Sequence, residues 1–237
     1  MMVKMQTKMS ITKINRLRKK AEKICGSIND IFESGWTPID FDPLNLLDLF
    51  PSITLMEGFV LKAYIYRAGG NGNGRIYAFP IEYSLDPDID LVDKDLFVEK
   101  PENALENLMD AIEGDGLPWS YFSASLFARE AAEFGALWHG VNWGTHEIIG
   151  KDPTGSDDDL TLQVPPDTEW KWLKAKPDSW SPVVIQEPKK ITVRFYSRSS
   201  YNIEAIYEHT DIYRPLNYGF VETKEETIAT GSRGYIF

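Results

Sequence analysis

The chain has 237 residues, 36 acidic against 25 basic, for a formal net charge of -11 and a sequence pI of about 4.8. A hydrophobic content of 43% with 13% aromatics excludes a disordered acidic tail, and the negative balance excludes a generally basic nucleic-acid binder, whose body must attract phosphate. A single cysteine, Cys25, excludes an intramolecular disulfide and any zinc site built on paired cysteines.

The charge is unevenly placed. Residues 1–24 carry eight bases against Glu22, a net +7, whereas residues 82–115 carry twelve acids against Lys94 and Lys100, a net -10. The spacing predicts an amphipathic N-terminal helix over 10–34. Ser10 fits the N-cap, and Ile14, Leu17, Ala21, Ile24, Ile28 and Ile31 form a narrow apolar seam with Arg16, Lys19, Lys20 and Lys23 mostly off it. This helix reads either as one packed on the body with its lysines solvated, or as a segment that meets a partner, an anionic lipid surface or the acidic belt. A homodimer through the same seam is a further expectation. The first residues run into ITKINRLRKK instead of an apolar stretch, so no secretory leader is expected. No run is apolar enough for a transmembrane segment, and the lone thiol points to a soluble cytoplasmic protein.

Pro38, Pro43 and Pro51 punctuate a short apolar helix around 44–50. Residues 58–67 and 75–83 read as strands joined by the run Gly69, Gly70, Asn71, Gly72, Asn73 and Gly74, a hairpin with a flexible tip. That run is not a phosphate-binding loop, because Arg75 and a strand follow it where a lysine and a helix are required. Residues 84–99 read as acidic and extended, and 101–114 as a helix with Leu105, Leu108, Met109 and Ile112 on one face. Pro118 opens the longest helix, about 119–138, apolar over most of its surface and so expected to be buried at the centre of the core. A short strand at 146–149, a long loop at 151–182 and a series of alternating strands from 183 onward complete the chain. The fold class is α+β, with antiparallel sheets around the buried helix. A single domain over 1–237 is expected, with a possible subdivision into a mixed α/β region, residues 1–150, and a β-rich region, residues 183–237.

Two segments carry candidate chemistry. His139 and His146 bracket a turn that also holds Trp138, Asn142, Trp143 and Glu147. Two imidazoles and a carboxylate there make either a general acid/base pair for a hydrolase-type enzyme or ligands for a metal, although His139 and His146 do not have a recognised zinc spacing. The bland alternative is a helix-capping histidine and a strand-edge histidine among turn glycines. Asp86, Asp88 and Asp90 begin like a calcium loop, but Leu91 and Phe97 stand where glycine and glutamate are needed, so they read as a solvated acidic edge of the belt, with adventitious divalent-cation binding as the alternative. Arg194 and Arg198 sit among aromatics, yet the acidic background argues against nucleic acid. No cofactor is expected. The leading functional expectation is a non-catalytic interaction module whose acidic belt, 82–115, meets a basic protein partner; the hydrolase or metal-binding reading is the alternative.

Overall fold

The computed structural model describes residues 4–26, 35–68, 71–83, 101–137, 140–154 and 169–232. Strand β1 (Met5–Lys8) precedes helix α1 (Ile11–Gly26). Then come β2 (Gly35–Pro38), the short helix α2 (Leu44–Leu47), β3 (Ile53–Leu55), β4 (Phe59–Ala68) and β5 (Asn71–Pro80). Beyond a 3-10 turn at Leu108–Ala111 lie β6 (Ile112–Gly114), helix α3 (Pro118–Ala132), β7 (Glu147–Ile149) and β8 (Trp170–Trp172). The chain finishes with β9 (Val183–Glu187), β10 (Lys190–Ser199), β11 (Ala205–Tyr213) and β12 (Glu222–Gly231). Every described strand pair is antiparallel, so the fold is α+β. Among the described residues no helix is long and apolar enough to cross a membrane.

The chain divides into two compact units. The first holds the described residues of Met1–Arg16, Thr145–Tyr213 and Phe220–Phe237; the second holds those of Leu17–Gly144 and Arg214–Gly219.

Unit 1 is built on one sheet, in the order β1-β9-β10-β11-β12-β8 with β7 also paired to β10. Strand β10 uses one edge twice. Lys190 to Arg194 pair with β9, and Tyr196 to Arg198 pair with β7. One sheet face buries Ile149, Tyr196, Ile206, Ile228 and Ala229 with Trp180, and Trp170 and Trp172 pack against them. Trp180 lies 5.2 Å from the Tyr196 ring, so tryptophans from the weakly patterned 151–182 stretch belong to this core. The opposite face carries Val193, Phe195, Ser197 and Ser199 of β10 beside His209 and Asp211 of β11, all buried.

Unit 2 contains α3. Ten of its fifteen residues are buried, including Tyr121, Phe122, Leu126 and Phe127. Pro118 opens it, where the missing N–H costs nothing. The helix stops at Ala132, short of the expected 138, and Gly135 takes the left-handed conformation at φ 69° just beyond. The unit also holds the sheet β2-β4-β5 and the pair β3-β6. Phe50 meets Phe127 edge-on at 5.7 Å. The segment Arg214–Gly219 belongs to this unit through Tyr218, whose ring stacks on Tyr121 at 4.8 Å and whose hydroxyl lies 2.6 Å from Ser120 Oγ.

Helix α1 begins where Ser10 suggests, with the Lys13 N–H donating to Ser10 Oγ at 3.3 Å. Ile14, Leu17 and Ala21 are buried within the chain itself, while Lys13, Arg16, Lys19, Lys20 and Lys23 are exposed. Residues 27–34, the end of the expected helix, lie outside the described residues.

Two further expectations differ from the structure. The 101–114 stretch is not a helix: it is irregular to Asn107, turns once, and gives Ile112 to the β3-β6 pair. Asn103 sits at φ 65°, and the Asn107 side chain accepts from the Met109 N–H at 3.0 Å, so both asparagines favour turns over helix propagation. The glycine run is not a hairpin tip beyond position 70, because Asn71 to Gly74 are already strand, paired with β4 from Ala68 backward.

Candidate metal centre

Four side chains of unit 1 converge on the sheet face that carries Val193, Phe195 and Ser197. Strand alternation places Ser197 of β10 and His209 of β11 on one face, and the register sets Glu225 of β12 directly across from His209. His146 immediately precedes β7, which pairs with the second half of β10.

Ser197 joins the two imidazoles. Its Oγ lies 2.8 Å from His146 Nδ1 and 2.6 Å from His209 Nε2. His209 Nδ1 then lies 3.4 Å from Glu225 Oε2. Phe195 stacks on the His209 ring at 4.6 Å and 12°, and Tyr207 covers His146 at 4.7 Å. Ring stacking and the shared hydroxyl therefore fix both imidazoles. One ligating atom each from His146, His209 and Glu225 all lie within 4.8 Å of one another. Both histidines are buried, whereas the Glu225 side chain is 43% exposed, so the cluster has a dry floor and a solvent-facing carboxylate.

The same atoms also have the connectivity of a nucleophile, base and acid: Ser197, His209, Glu225. Burial decides against that reading. Ser197 has no exposed surface, and its hydroxyl is held between two rings, whereas an acyl-transfer nucleophile must meet its substrate.

Glu147 lies opposite Arg198 on β10, and alternation turns it to the sheet face away from His146. Asn142 and Trp143 belong to unit 2, where Glu133 clamps their turn: its carboxylate accepts from the backbone N–H groups of Asn142 (3.1 Å), Trp143 and Gly144 (3.0 Å). Burial still holds the Glu133 carboxyl above the usual range, although these three donors oppose the shift. Trp143 donates its indole N–H to Glu130 at 2.9 Å, and the Arg18 guanidinium lies over its ring at 4.2 Å. This is a packed turn. Trp138, His139, Asp86, Asp88 and Asp90 lie outside the described residues.

Compared with protein-family models, curated proteins and solved structures, the chain matches none.

Ser197, His209 and Glu225 were not among the sequence candidates. A signal for the first existed: Ser197 and Ser199 continue the parity of Ile191, Val193 and Phe195, so they are polar residues on an otherwise apolar face. His209 and Glu225 carry no such mark, because their meeting depends on the β11–β12 register.

Proposed function

We propose that unit 1 is a transition-metal-binding module in which His146, His209 and Glu225 ligate one zinc-like ion. The observation that carries the reading is the convergence of two imidazoles and a carboxylate within 4.8 Å. The spacing supports it. Two ligands each about 2.0–2.1 Å from a tetrahedral zinc ion stand about 3.4 Å apart. The His209 Nδ1 to Glu225 Oε2 separation is 3.4 Å, beyond the usual hydrogen-bond length. Ser197 fits the role of the group that orients metal-bound imidazoles. It faces His146 Nδ1 and His209 Nε2, which assigns His146 Nε2 and His209 Nδ1 to the ion. Three protein ligands leave one position open, the composition of hydrolytic zinc sites, and a metal-activated water there is what the hydrolase-type alternative requires.

The finer features of the fold belong to the same reading. Helix α3 is taken as the centre of the unit 2 core, and the seam of α1 as packing surface instead of a dimer seam. The acidic-belt interaction proposal rests on charge alone, since residues 84–100 of the belt lie outside the described ones.

The test is zinc titration of the chelator-treated chain by calorimetry with metal analysis. One equivalent is expected, and Glu225→Ala, at an exposed position, is expected to weaken binding tenfold or more. Ser197→Ala is expected to weaken it by about 10–100-fold through loss of orientation. Wild-type protein that takes up no zinc in the titration, or a Glu225→Ala variant that binds like wild type, would overturn the reading.

A further inference from the structure

The zinc reading leaves the basic face of α1 unused. The helix carries Lys13, Arg16, Arg18, Lys19, Lys20 and Lys23 against one acid, Glu22. Arg18 is spent on packing: its Nε meets Glu130 Oε1 at 3.1 Å, and its guanidinium lies over the Trp143 ring. The other five bases are exposed, while Ile14, Leu17 and Ala21 of the same helix are buried. Because α1 is one continuous helix, its period alone arranges them. At 3.6 residues per turn and 1.5 Å per residue, Lys13 to Lys23 form a stripe about 120° wide and about 15 Å long.

Among the described residues, no acidic side chain comes within ion-pair distance of Arg16, Lys19, Lys20 or Lys23. The stripe also opposes the rest of the molecule in sign, since residues 25–237 carry a net charge of -18. A chain so polarised turns its basic stripe toward an anionic surface. Its acidic remainder is repelled there, but that repulsion is screened beyond about 8–10 Å at physiological salt.

Three features choose among polyanions. Four of the five exposed bases are lysines, compact point charges that suit a diffuse negative field; docking on an ordered carboxylate or phosphodiester favours the arginine fork. Helix α1 contains no aromatic residue on which a nucleic-acid base could stack. Its apolar seam is already packed, so the helix meets a surface by charge and does not sink into it. A group of this many bases on one helix is the composition that anionic phospholipid attracts.

From this arrangement we propose that the exposed face of α1 is a docking surface for an anionic phospholipid bilayer. The chain adsorbs through Lys13, Arg16, Lys19, Lys20 and Lys23 without inserting. None of the proposed zinc ligands lies on α1, so the two proposals stand or fall separately.

The experiment is sedimentation of the full chain with vesicles of phosphatidylcholine alone and of phosphatidylcholine with about 30% phosphatidylserine, at about 0.1 M NaCl. Binding to the serine-containing vesicles alone is expected. It is expected to drop at least about tenfold at about 1 M NaCl, where the screening length is about 3 Å. Each base near the surface contributes roughly fivefold to such partitioning, so the double variant Lys20→Gln, Lys23→Gln is expected to bind about 25-fold more weakly. Both positions are exposed and glutamine is a good helix former, so the variant is expected to keep the wild-type thermal midpoint. Equal binding to both vesicle types, no binding to either, or a folded double variant that binds like wild type would overturn the proposal. So would tighter binding to a mixed-sequence oligonucleotide, or salt-sensitive dimerisation in place of vesicle binding, which would assign the stripe to nucleic acid or to a second copy. The vesicle comparison needs only the wild-type chain, so a misfolded variant leaves the test intact.

Discussion

Arg198 and Glu204 are each 2% exposed and are bonded through Nη2 and Oε1. The sequence presents Arg198 as one of two arginines among aromatics, a pattern shared with single-strand binders. Burial removes it from any binding surface. Glu204→Gln takes a carboxylate away from a buried guanidinium and is expected to cost about 3 kcal/mol of stability in urea unfolding. A loss under about 1 kcal/mol would show that water reaches the pair. Residue chemistry also separates the two histidines that can be described. His146 and His209 are held by Ser197, and neither is exposed enough to act as a surface proton donor.

At the scale of elements, the glycine-rich strand β5 departs most from expectation. Gly74 is strand because the carbonyl of Phe134 runs against it: a Cβ there would stand 1.6 Å from that oxygen. Gly74→Ala is therefore expected to destabilise unit 2 by about 3 kcal/mol, the upper range of overpacking, since the obstacle is backbone and cannot turn aside. Thermal unfolding close to wild type would mean that the Phe134 backbone moves freely. Local composition misreads this segment for a physical reason. Glycine runs signal turns when nothing packs on them, and strands when another backbone must come close. Strand β1 gives no apolar signal either, since MQTK supplies little beyond its backbone to the pairing with β9. By contrast β10 is legible, because Ile191, Val193 and Phe195 alternate with Thr192 and Arg194 and their inward face is buried. The segment 101–114 has helical apolar spacing, but its asparagines bond locally and β3 captures its end.

Among the described residues, three buried or half-buried acids weaken the fold at alkaline pH. Cys25, Tyr64 and Tyr196 are each pushed up to about 12, chiefly by burial, with Glu130 second for Cys25, Tyr77 for Tyr64 and Glu208 for Tyr196. In the unfolded chain they ionise at their ordinary values, from about 8.5 for cysteine to about 10 for tyrosine. Between these values and about 12 the unfolded state therefore holds fewer protons, and stability falls as pH rises. The contribution is fully present below about pH 8.5. Urea midpoints are expected to be level from about pH 7 to 8 and to fall progressively from about pH 9 to 11. A midpoint that rises over that interval would contradict the assignment. Cys25 and Tyr64 both lie in unit 2 and Tyr196 in unit 1, so unit 2 is expected to weaken first.

The sequence by itself determined the α+β class, the antiparallel strands after residue 183 and the helix opening at Pro118, because those follow from local periodicity and from where a proline or an alternating face can sit. Only the tertiary structure decided which polar groups meet. His146 and Ser197 are 51 residues apart, and His209 faces Glu225 through strand register. Arg67 reaches the Gly135 carbonyl with Gly72 lying across from it, a meeting of positions 68 residues apart. Register and backbone approach are set by the global packing of the strands. A single sequence records the residues that meet there, but not the pairing that brings them together.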